Sequence, residues 1–592
     1  MSLLNAYRVF LAIGLLITGC NPSKQDPFLL ESPKRASEDV QNMAGLTSRG
    51  IASSIRLEHL ANRLPNAVFR NSIELNESFF IETTGGGLGV LDFDRDGELD
   101  IVSAGGGRPD KTMKKLLGYF PTLHRGLGNW QYRDISTSSR IETESIYSTG
   151  VSVADFDADG FTDVLMLGYD AMHLYRNQGD GTLELVPPTS CGLSNNLWGT
   201  SAAFLDADND GLIDVYIANY LDWSFENNPI CEGKISADSD ASIRDYCGPR
   251  QFKGLPDVLY RNAGDGTFLD ITEVAGIKDQ HRGMGVLAAD FDGDHDIDLY
   301  VANDIDRNLV YQNDGAGTFV DVTSRSGGCC NDIGVPEGSM GVTLGDYNLD
   351  GRFDIFVTNF KNEPPALYEN VKDINYIYAS TKAKIGLARN DFVSWGTAFV
   401  DLDLDGDEDL FVVNGHIEKR SFGINYEQHP MLFENDHGKR FFSGLGSGTF
   451  LSSKHAARSL AIGDFNRDGR VDFAVGRLNT DLALVQNRSA VKGGYCMIKC
   501  VGTLSNRDGI GVTIRLRINS HVWSRQLYGG GSYASSWEPF AHFGISEDVD
   551  FNDAELEILW PSGIEQHLHL AGPNETILAI EPHGELLLDQ SQ

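Results

Sequence analysis

One nine-residue pattern recurs seven times along the 592-residue chain. It reads DFDRDGELD from Asp92, DFDADGFTD from Asp155, DADNDGLID from Asp206 and DFDGDHDID from Asp290. It continues as DYNLDGRFD from Asp346, DLDLDGDED from Asp401 and DFNRDGRVD from Asp464. Successive starts are 63, 51, 84, 56, 55 and 63 residues apart. A small, glycine-containing apolar run precedes each copy (MGVLAAD, MGVTLGD, WGTAFVD), and a β-branched run follows (DLYVAND, DIFVTNF, DLFVVNG). A third run such as VLYRN, LVYQN or ALYEN comes next, and several copies add a GDGTF or GAGTF turn and a fourth run such as FLDIT. These runs have strand length. Four short strands with an acidic loop between the first two, repeated seven times, predict an all-β, seven-bladed β-propeller.

The loop chemistry points to a hard cation. Calcium takes six to eight oxygen ligands. Positions 1, 3, 5 and 9 supply side chains, a glycine at position 6 permits the turn, and position 7 offers its backbone carbonyl. In that order the candidate ligands of loop one are Asp92, Asp94, Asp96, Glu98 and Asp100. Loop two has Asp155, Asp157, Asp159, Phe161 and Asp163, and loop three Asp206, Asp208, Asp210, Leu212 and Asp214. Loop four has Asp290, Asp292, Asp294, Asp296 and Asp298, and loop five Asp346, Asn348, Asp350, Arg352 and Asp354. Loop six has Asp401, Asp403, Asp405, Asp407 and Asp409, and loop seven Asp464, Asn466, Asp468, Arg470 and Asp472. The counterpart reading of any single loop is a turn tied by aspartate–backbone hydrogen bonds. Position 12 would be a bidentate Glu in an EF-hand, but it is Ser103, Met166, Ile217, Val301, Val357, Val412 or Val475. The helix–loop–helix sensor is therefore rejected, and the absence of a following amphipathic helix disfavours dockerin-like repeats. Asn348 and Asn466 remove one charge each from their loops. His295 stands where the other loops have glycine, with Gly293 two residues earlier, so loop four is expected to be strained, reshaped or weaker.

The net charge of −36 disfavours nucleic acid as a partner. Up to seven structural Ca²⁺ would account for part of that charge. At the N-terminus, Arg8 precedes a short apolar run, Val9 to Ile17, that has the order of a secretory signal. It ends Ile17-Thr18-Gly19-Cys20, which resembles a bacterial lipobox and implies a lipid on Cys20. Asn21 after that cysteine implies an outer-membrane destination. Residues 21–50 read as a flexible tether. Cys231 and Cys247 flank an acidic insertion at about 222–255 and are candidates for a disulfide. Cys329 and Cys330 are adjacent, while Cys496 and Cys500, four residues apart on a strand, are too distant to bridge directly.

With its N-x-GDGTF hairpins, the repeat resembles the FG-GAP/VCBS family, the propeller type of integrin α-chain heads, over roughly residues 75–490. Blade seven lacks an evident fourth strand, and Glu74–Thr83 (ELNESFFIET) is the expected donor that closes the ring. From residue 490 the repeat stops. NRDGIGVTIRLR, GGGSYASS, HFGI and WPSG follow in order and resemble the ASPIC/UnbV domain of bacterial proteins and of the cartilage acidic protein 1-like family. CGPRQF and NGHI resemble the same combination. The expected organisation is a signal at 1–20, a tether at 21–50, the propeller at 51–489 and a small β domain at 490–592.

No nucleophile elbow or phosphate-binding glycine loop is evident. His416 of NGHI and His542 of HFGI read as packing residues, and GGGLG at 85–89 as a close strand approach near the axis. The leading expectation is a calcium-stabilised, membrane-anchored binding or adhesion scaffold of the cell envelope that recognises protein or glycan. The alternative is a polysaccharide lyase or hydrolase on a propeller scaffold.

Overall fold

The computed structural model describes residues 53–71, 78–234, 242–387, 391–418, 423–443, 446–491, 493–551 and 553–582. Cys20, the signal segment and the tether lie outside these residues. The repeats fold into seven four-stranded antiparallel sheets. Their inner strands are Leu88–Leu91, Ser148–Ala154, Gly199–Leu205, Gly283–Ala289, Ser339–Gly345, Ser394–Val400 and Ala457–Gly463. Each lies beside the next, and the last returns to the first, which makes the fold a β-propeller. These strands are buried along their whole length, which is why they are written in Gly, Ala, Ser, Thr and Val instead of alternating polar and apolar residues.

The ring is closed by an N-terminal strand, but not by the expected stretch. Leu57–Leu60 pairs antiparallel with Ala483–Asn487 as the fourth strand of blade seven, in the register Leu57↔Asn487 to Leu60↔Leu484. Within 74–83, residues 74–77 lie outside the described residues, and Phe80–Thr83 forms a 3₁₀ turn. The aromatic side chains of that segment are the reason. Phe80 is buried against Phe252, Trp198 and Tyr220, with ring centroids 4.9, 6.3 and 5.9 Å away. An edge strand would have left one face of this FF pair in water.

Neighbouring blades are joined by an asparagine at or near the end of the third strand. Asn177, Asn262, Asn313, Asn370, Asn435 and Asn487 each donate through Nδ2 to the position-2 carbonyl of the preceding loop, at 2.8–3.0 Å. Blade one has Gly126 at this place. At that junction Arg467 of loop seven takes over, donating to Gly97 O (3.1 Å) and pairing with Glu98 (3.2 Å).

The C-terminal part forms a three-stranded sheet (Ala541–Ile545, Gly494–Val501, Glu575–Ile580) and a four-stranded sheet (His521–Gln526, Thr513–Ile518, Glu555–Leu559, Glu565–His569) around a core that includes Trp523, Phe543 and Trp560. Its GGGSYASS segment runs into the propeller axis. Gly529–Gly530 pairs with the inner strand of blade four and Ser536–Trp537 with that of blade one. Ser532 exchanges backbone bonds with Val342, and Ala534 O accepts from Val151 N at 2.9 Å. Ser201 Oγ accepts from Ala534 N, and Ser532 Oγ accepts from Thr397 N. Six inner strands are thus satisfied by one segment. The glycines are steric requirements: a Cβ on Gly529 would lie 1.8 Å from Phe204 O, and one on Gly87 of the GGGLG run 1.5 Å from Ala534 O. Tyr533, at the tip, is buried against Trp395, and Arg458 lies over the same indole, 4.3 Å from the ring centroid. From the other end, Phe79, Phe80 and Ile81 complete the same aromatic cluster. The axis is therefore filled by the chain's own side chains.

Gly529→Val is expected to unseat this segment. Limited proteolysis should then cut between the propeller and the C-terminal sheets, where the unchanged protein resists; equal resistance in the variant would contradict the account.

Candidate functional site

All seven acidic loops share one backbone plan. The position-1 aspartate accepts, through Oδ2, the N–H of position 6 at 2.7–3.0 Å. The position-5 carboxylate accepts the N–H of position 7 at 2.8–3.3 Å. Position 9 is the anchor. Asp100, Asp163, Asp214, Asp298, Asp354, Asp409 and Asp472 are each at most 1% exposed. Their Oδ2 accepts the position-2 N–H at 2.7–3.2 Å. Their Oδ1 accepts the N–H of the residue ending the third strand at 2.6–2.9 Å. Aspartate–backbone turns are thus present in every loop.

Those bonds leave oxygens over. Asp92 Oδ1, Asp94 Oδ1, Asp208 Oδ1 and Asp292 Oδ1 are buried without a hydrogen-bond partner. In Asp92/Asp94/Asp96, Asp155/Asp157/Asp159, Asp206/Asp208/Asp210 and Asp290/Asp292/Asp294, one oxygen from each side chain lies within 4.8 Å of the others. Two oxygens about 2.3–2.6 Å from a shared ion can be that far apart. These loops can therefore hold a metal, and the oxygens fit a hard cation. Loop six adds a group absent from the sequence reading: Asp405, Asp407 and His437 also converge. Asp407 turns its side chain inward to accept His437 N at 2.7 Å.

Loop four carries the expected strain at His295, and its glycine stands at position 4 instead. In the other six loops position 4 is a non-glycine residue in the left-handed region: Arg95, Ala158, Asn209, Leu349, Leu404 and Arg467 have φ between 54° and 59°. Position 6 has φ between 80° and 99° in those loops. Loop four keeps both bends but puts its glycine at the first, Gly293 (φ 82°), and His295 (φ 76°) at the second. His295→Gly is expected to stabilise the protein by roughly 0.5–1 kcal/mol, seen as a higher thermal midpoint; a lower midpoint would mean that the imidazole makes a contact worth more than the strain.

Burial sets the electrostatics. Asp100 and Asp214 are pushed up to about 8, Asp206 to about 7, and Asp92 and Asp155 to about 6. Desolvation is the first cause in each case, and neighbouring carboxylates add to it. A metal-free folded chain thus holds protons that an unfolded chain, with aspartates near ~3.9, releases. Stability of the metal-free protein is then lost as pH rises through these folded values and regained as pH falls. In chelator, the thermal midpoint should be higher at about pH 6 than at about pH 8.5. A midpoint that falls or stays level on acidification would contradict this.

The C-terminal domain sits on the loop face, and the motifs that mark it in the sequence make the contacts. Position-1 N–H groups of loops one, two and four donate to Glu538 (2.8 Å), Asp508 (3.0 Å) and Gln526 (3.0 Å). Arg507 of NRDG pairs with Asp155 at 3.1 Å. His542 of HFGI meets Gly469 O of loop seven at 2.9 Å. His542 is buried, and burial pulls its pKa down to about 4, so the neutral ring donates that bond. His416 of NGHI is also buried. Its carbonyl and that of Gly415 accept from Arg458 at 3.0 and 2.9 Å. Between propeller and domain lies a cavity of about 50 Å³ lined by Phe399, Glu408, Arg525 and His542, with Arg525 and Glu408 paired at 3.0 Å. That is room for about three to five waters.

On the opposite face, Cys231 and Cys247 form a disulfide (Cα–Cα 5.2 Å) that closes the hairpin Cys231–Lys234/Ser242–Asp245. Blade one carries a second hairpin, Gly106–Asp110/Lys115–Gly118, which the repeat pattern did not reveal. Lys114 and Glu226 link the two insertions at 3.0 Å. No helix among the described residues is long and apolar enough to cross a membrane.

Comparison with known proteins agrees with this architecture. Residues 92–166, 155–217, 254–301 and 290–357 match the FG-GAP-like repeat, and residues 502–586 match ASPIC and UnbV. The matched repeats cover loops one to five; loops six and seven rest on the motif and the topology. Human cartilage acidic protein 1 is 24% identical over 508 residues, 81% of this chain and 69% of that protein. The mouse protein is 24% identical over 506 residues, 81% and 70%. Among solved structures, an Agrocybe aegerita protein described as recognising non-reducing terminal N-acetylglucosamine is 17% identical. It covers 62% of this chain and 82% of its own, with a TM-score of 0.36, a likeness that carries no functional weight. The chain carries FG-GAP-like repeats followed by an ASPIC and UnbV domain, a combination that suggests a scaffold of the binding or adhesion type.

Proposed function

We propose that this chain is a calcium-stabilised, extracytoplasmic binding scaffold, held at the cell envelope through a lipid on Cys20 and recognising protein or glycan. The observation that carries the reading is the distribution of surfaces. The loop face is covered by the C-terminal domain, and the axis is filled from both ends. The face with the two linked insertions, from blades one and three, is the one left for a partner. The cavity against Arg525 and Glu408 lies beneath the docked C-terminal domain, which favours binding over polysaccharide cleavage.

Calcium has a structural role in this reading. When bound, it would neutralise clustered carboxylates, of which burial makes Asp92, Asp155 and Asp206 harder to ionise. The position-1, -3 and -5 side chains of loops one to four hold it, and loop six has the same three aspartates, Asp401, Asp403 and Asp405. The protein's own contribution is to fix those oxygens: the position-9 aspartate and the two left-handed bends set the loop before any ion arrives. Extracellular modules bind calcium with dissociation constants of about 10⁻⁴–10⁻³ M, which suits a calcium-replete exterior.

Protein lacking residues 1–20 should contain calcium as purified, and EGTA should lower its thermal midpoint, with recovery on readdition. A protein that carries no calcium and melts identically in both conditions would overturn the reading. A glycan array and a pull-down, each repeated with the blade-three hairpin shortened, test the recognition face; retention of all binding by the shortened protein would place the partner elsewhere.

A further inference from the structure

We propose that loops five and seven are closed by their own arginines instead of by a metal ion, so that the ring combines five calcium loops with two metal-free ones. The inference rests on the calcium reading of the other five. Loops five and seven differ from them twice, and in the same way: position 3 is Asn348 or Asn466, and position 7 is Arg352 or Arg470. The side chains at positions 1, 3, 5, 7 and 9 sum to −2 in these loops, against −4 or −5 in the others.

The geometry shows what the arginine does. Arg352 pairs through Nη2 with Asp350 Oδ2, and its own N–H binds Asp350 Oδ1 at 3.0 Å. Its Nε donates to Asn370 O at 2.9 Å. Arg470 repeats the arrangement: Nη2 pairs with Asp468 Oδ2, the N–H binds Asp468 Oδ1 at 3.0 Å, and Nε donates to Asn487 O at 3.1 Å. Both oxygens of the position-5 carboxylate are thereby occupied. One guanidinium also ties the loop to the third strand, at the residue that clamps the preceding blade.

The asparagines complete the closure. Asn348 Oδ1 accepts Asp350 N at 3.1 Å, and Asn466 Nδ2 donates to Asp468 Oδ2 at 2.9 Å, leaving Asn466 Oδ1 as the unpartnered oxygen. Loop one also meets a guanidinium, but a different one. Arg125 comes from the third strand and takes Oδ2 of Asp94 and Asp96 (2.5 and 2.9 Å), while Asp92 Oδ1 and Asp94 Oδ1 stay buried and unpartnered. Loops two and three likewise meet guanidiniums from elsewhere, Arg507 on Asp155 (3.1 Å) and Arg261 on Asp208 (3.6 Å), and in loops two, three, four and six the position-7 side chain itself, an aspartate or an apolar residue, brings no cation. A fixed guanidinium gives these two loops a charge balance that does not vary with calcium concentration.

Ion counting by native mass spectrometry, with metal analysis of the same samples, separates the outcomes. Asp159→Asn and Asp210→Asn should each lower the calcium count by one, whereas Asp350→Asn and Asp468→Asn should leave it unchanged. The paired reversals Asn348→Asp/Arg352→Leu and Asn466→Asp/Arg470→Leu should each raise it by one. They should also make the thermal midpoint more sensitive to EGTA than in the unchanged protein. A count lowered by Asp350→Asn or Asp468→Asn overturns the inference while leaving the calcium reading intact. A count of zero in the unchanged protein removes the calcium reading itself.

Discussion

A single buried carboxylate per blade organises this molecule. The aspartate at position 9 of each loop is withdrawn from water and spends both oxygens on backbone N–H groups, one from its own loop and one from the end of the third strand. That residue is an asparagine in six blades, and its amide reaches the previous loop. Loop, strand and neighbouring blade are therefore positioned by one group. Its burial is costly to the charged form, so the loop favours either a proton or a nearby cation. The acidity of the chain, the proposed calcium and the two internal arginines are three answers to that one electrostatic demand.

The C-terminal domain depends on the same loops. It caps position-1 N–H groups with two carboxylates and an amide, Asp508, Glu538 and Gln526, which brings further negative charge to loops that already have too much. Arg507 and Lys499 offset part of it, through Asp155 and Glu538. The GGGSYASS segment then carries the docking into the axis, where the inner strands' leftover donors and acceptors find partners. Three of the four motifs that make this domain recognisable are accounted for by docking: NRDG lies on loop two, GGGSYASS in the axis and HFGI on loop seven, while Trp560 of WPSG packs in the domain's own core. In the proposed reading, that assignment leaves the far side of the propeller for recognition.

Much of this was legible in the sequence, because the loop motif is both frequent and stereochemically specific. Seven copies fixed the repeat, and position 12 separated it from helical calcium sites. The strained loop four was foreseen from His295, although the reason required φ values: every loop bends left-handed twice, and sequence shows only the bend that has a glycine. The closing strand was misplaced because ELNESFFIET carries an apolar FFI run of strand type, whereas Leu57–Leu60 is short and unremarkable; tertiary burial of Phe79 and Phe80 overrode the local pattern. The terminal asparagine of VLYRN, LVYQN and ALYEN was visible as a letter but not as a clamp, since its partner lies some 80 to 110 residues away in the preceding loop. The axial segment was also silent. Nothing in GGGSYASS states that its glycines face the backbone of another domain.

The central claim is that cation balance in the loops, blade junctions and docking of the C-terminal domain are one coupled system. Hydrogen–deuterium exchange of the intact protein with and without EGTA tests it most directly. The account predicts that chelation raises exchange in loops one to four and six and, together with them, in residues 529–537 of the axial segment, while the Cys231–Cys247 hairpin is unchanged. Increased exchange confined to the loops, with the axial segment as protected as before, would contradict it.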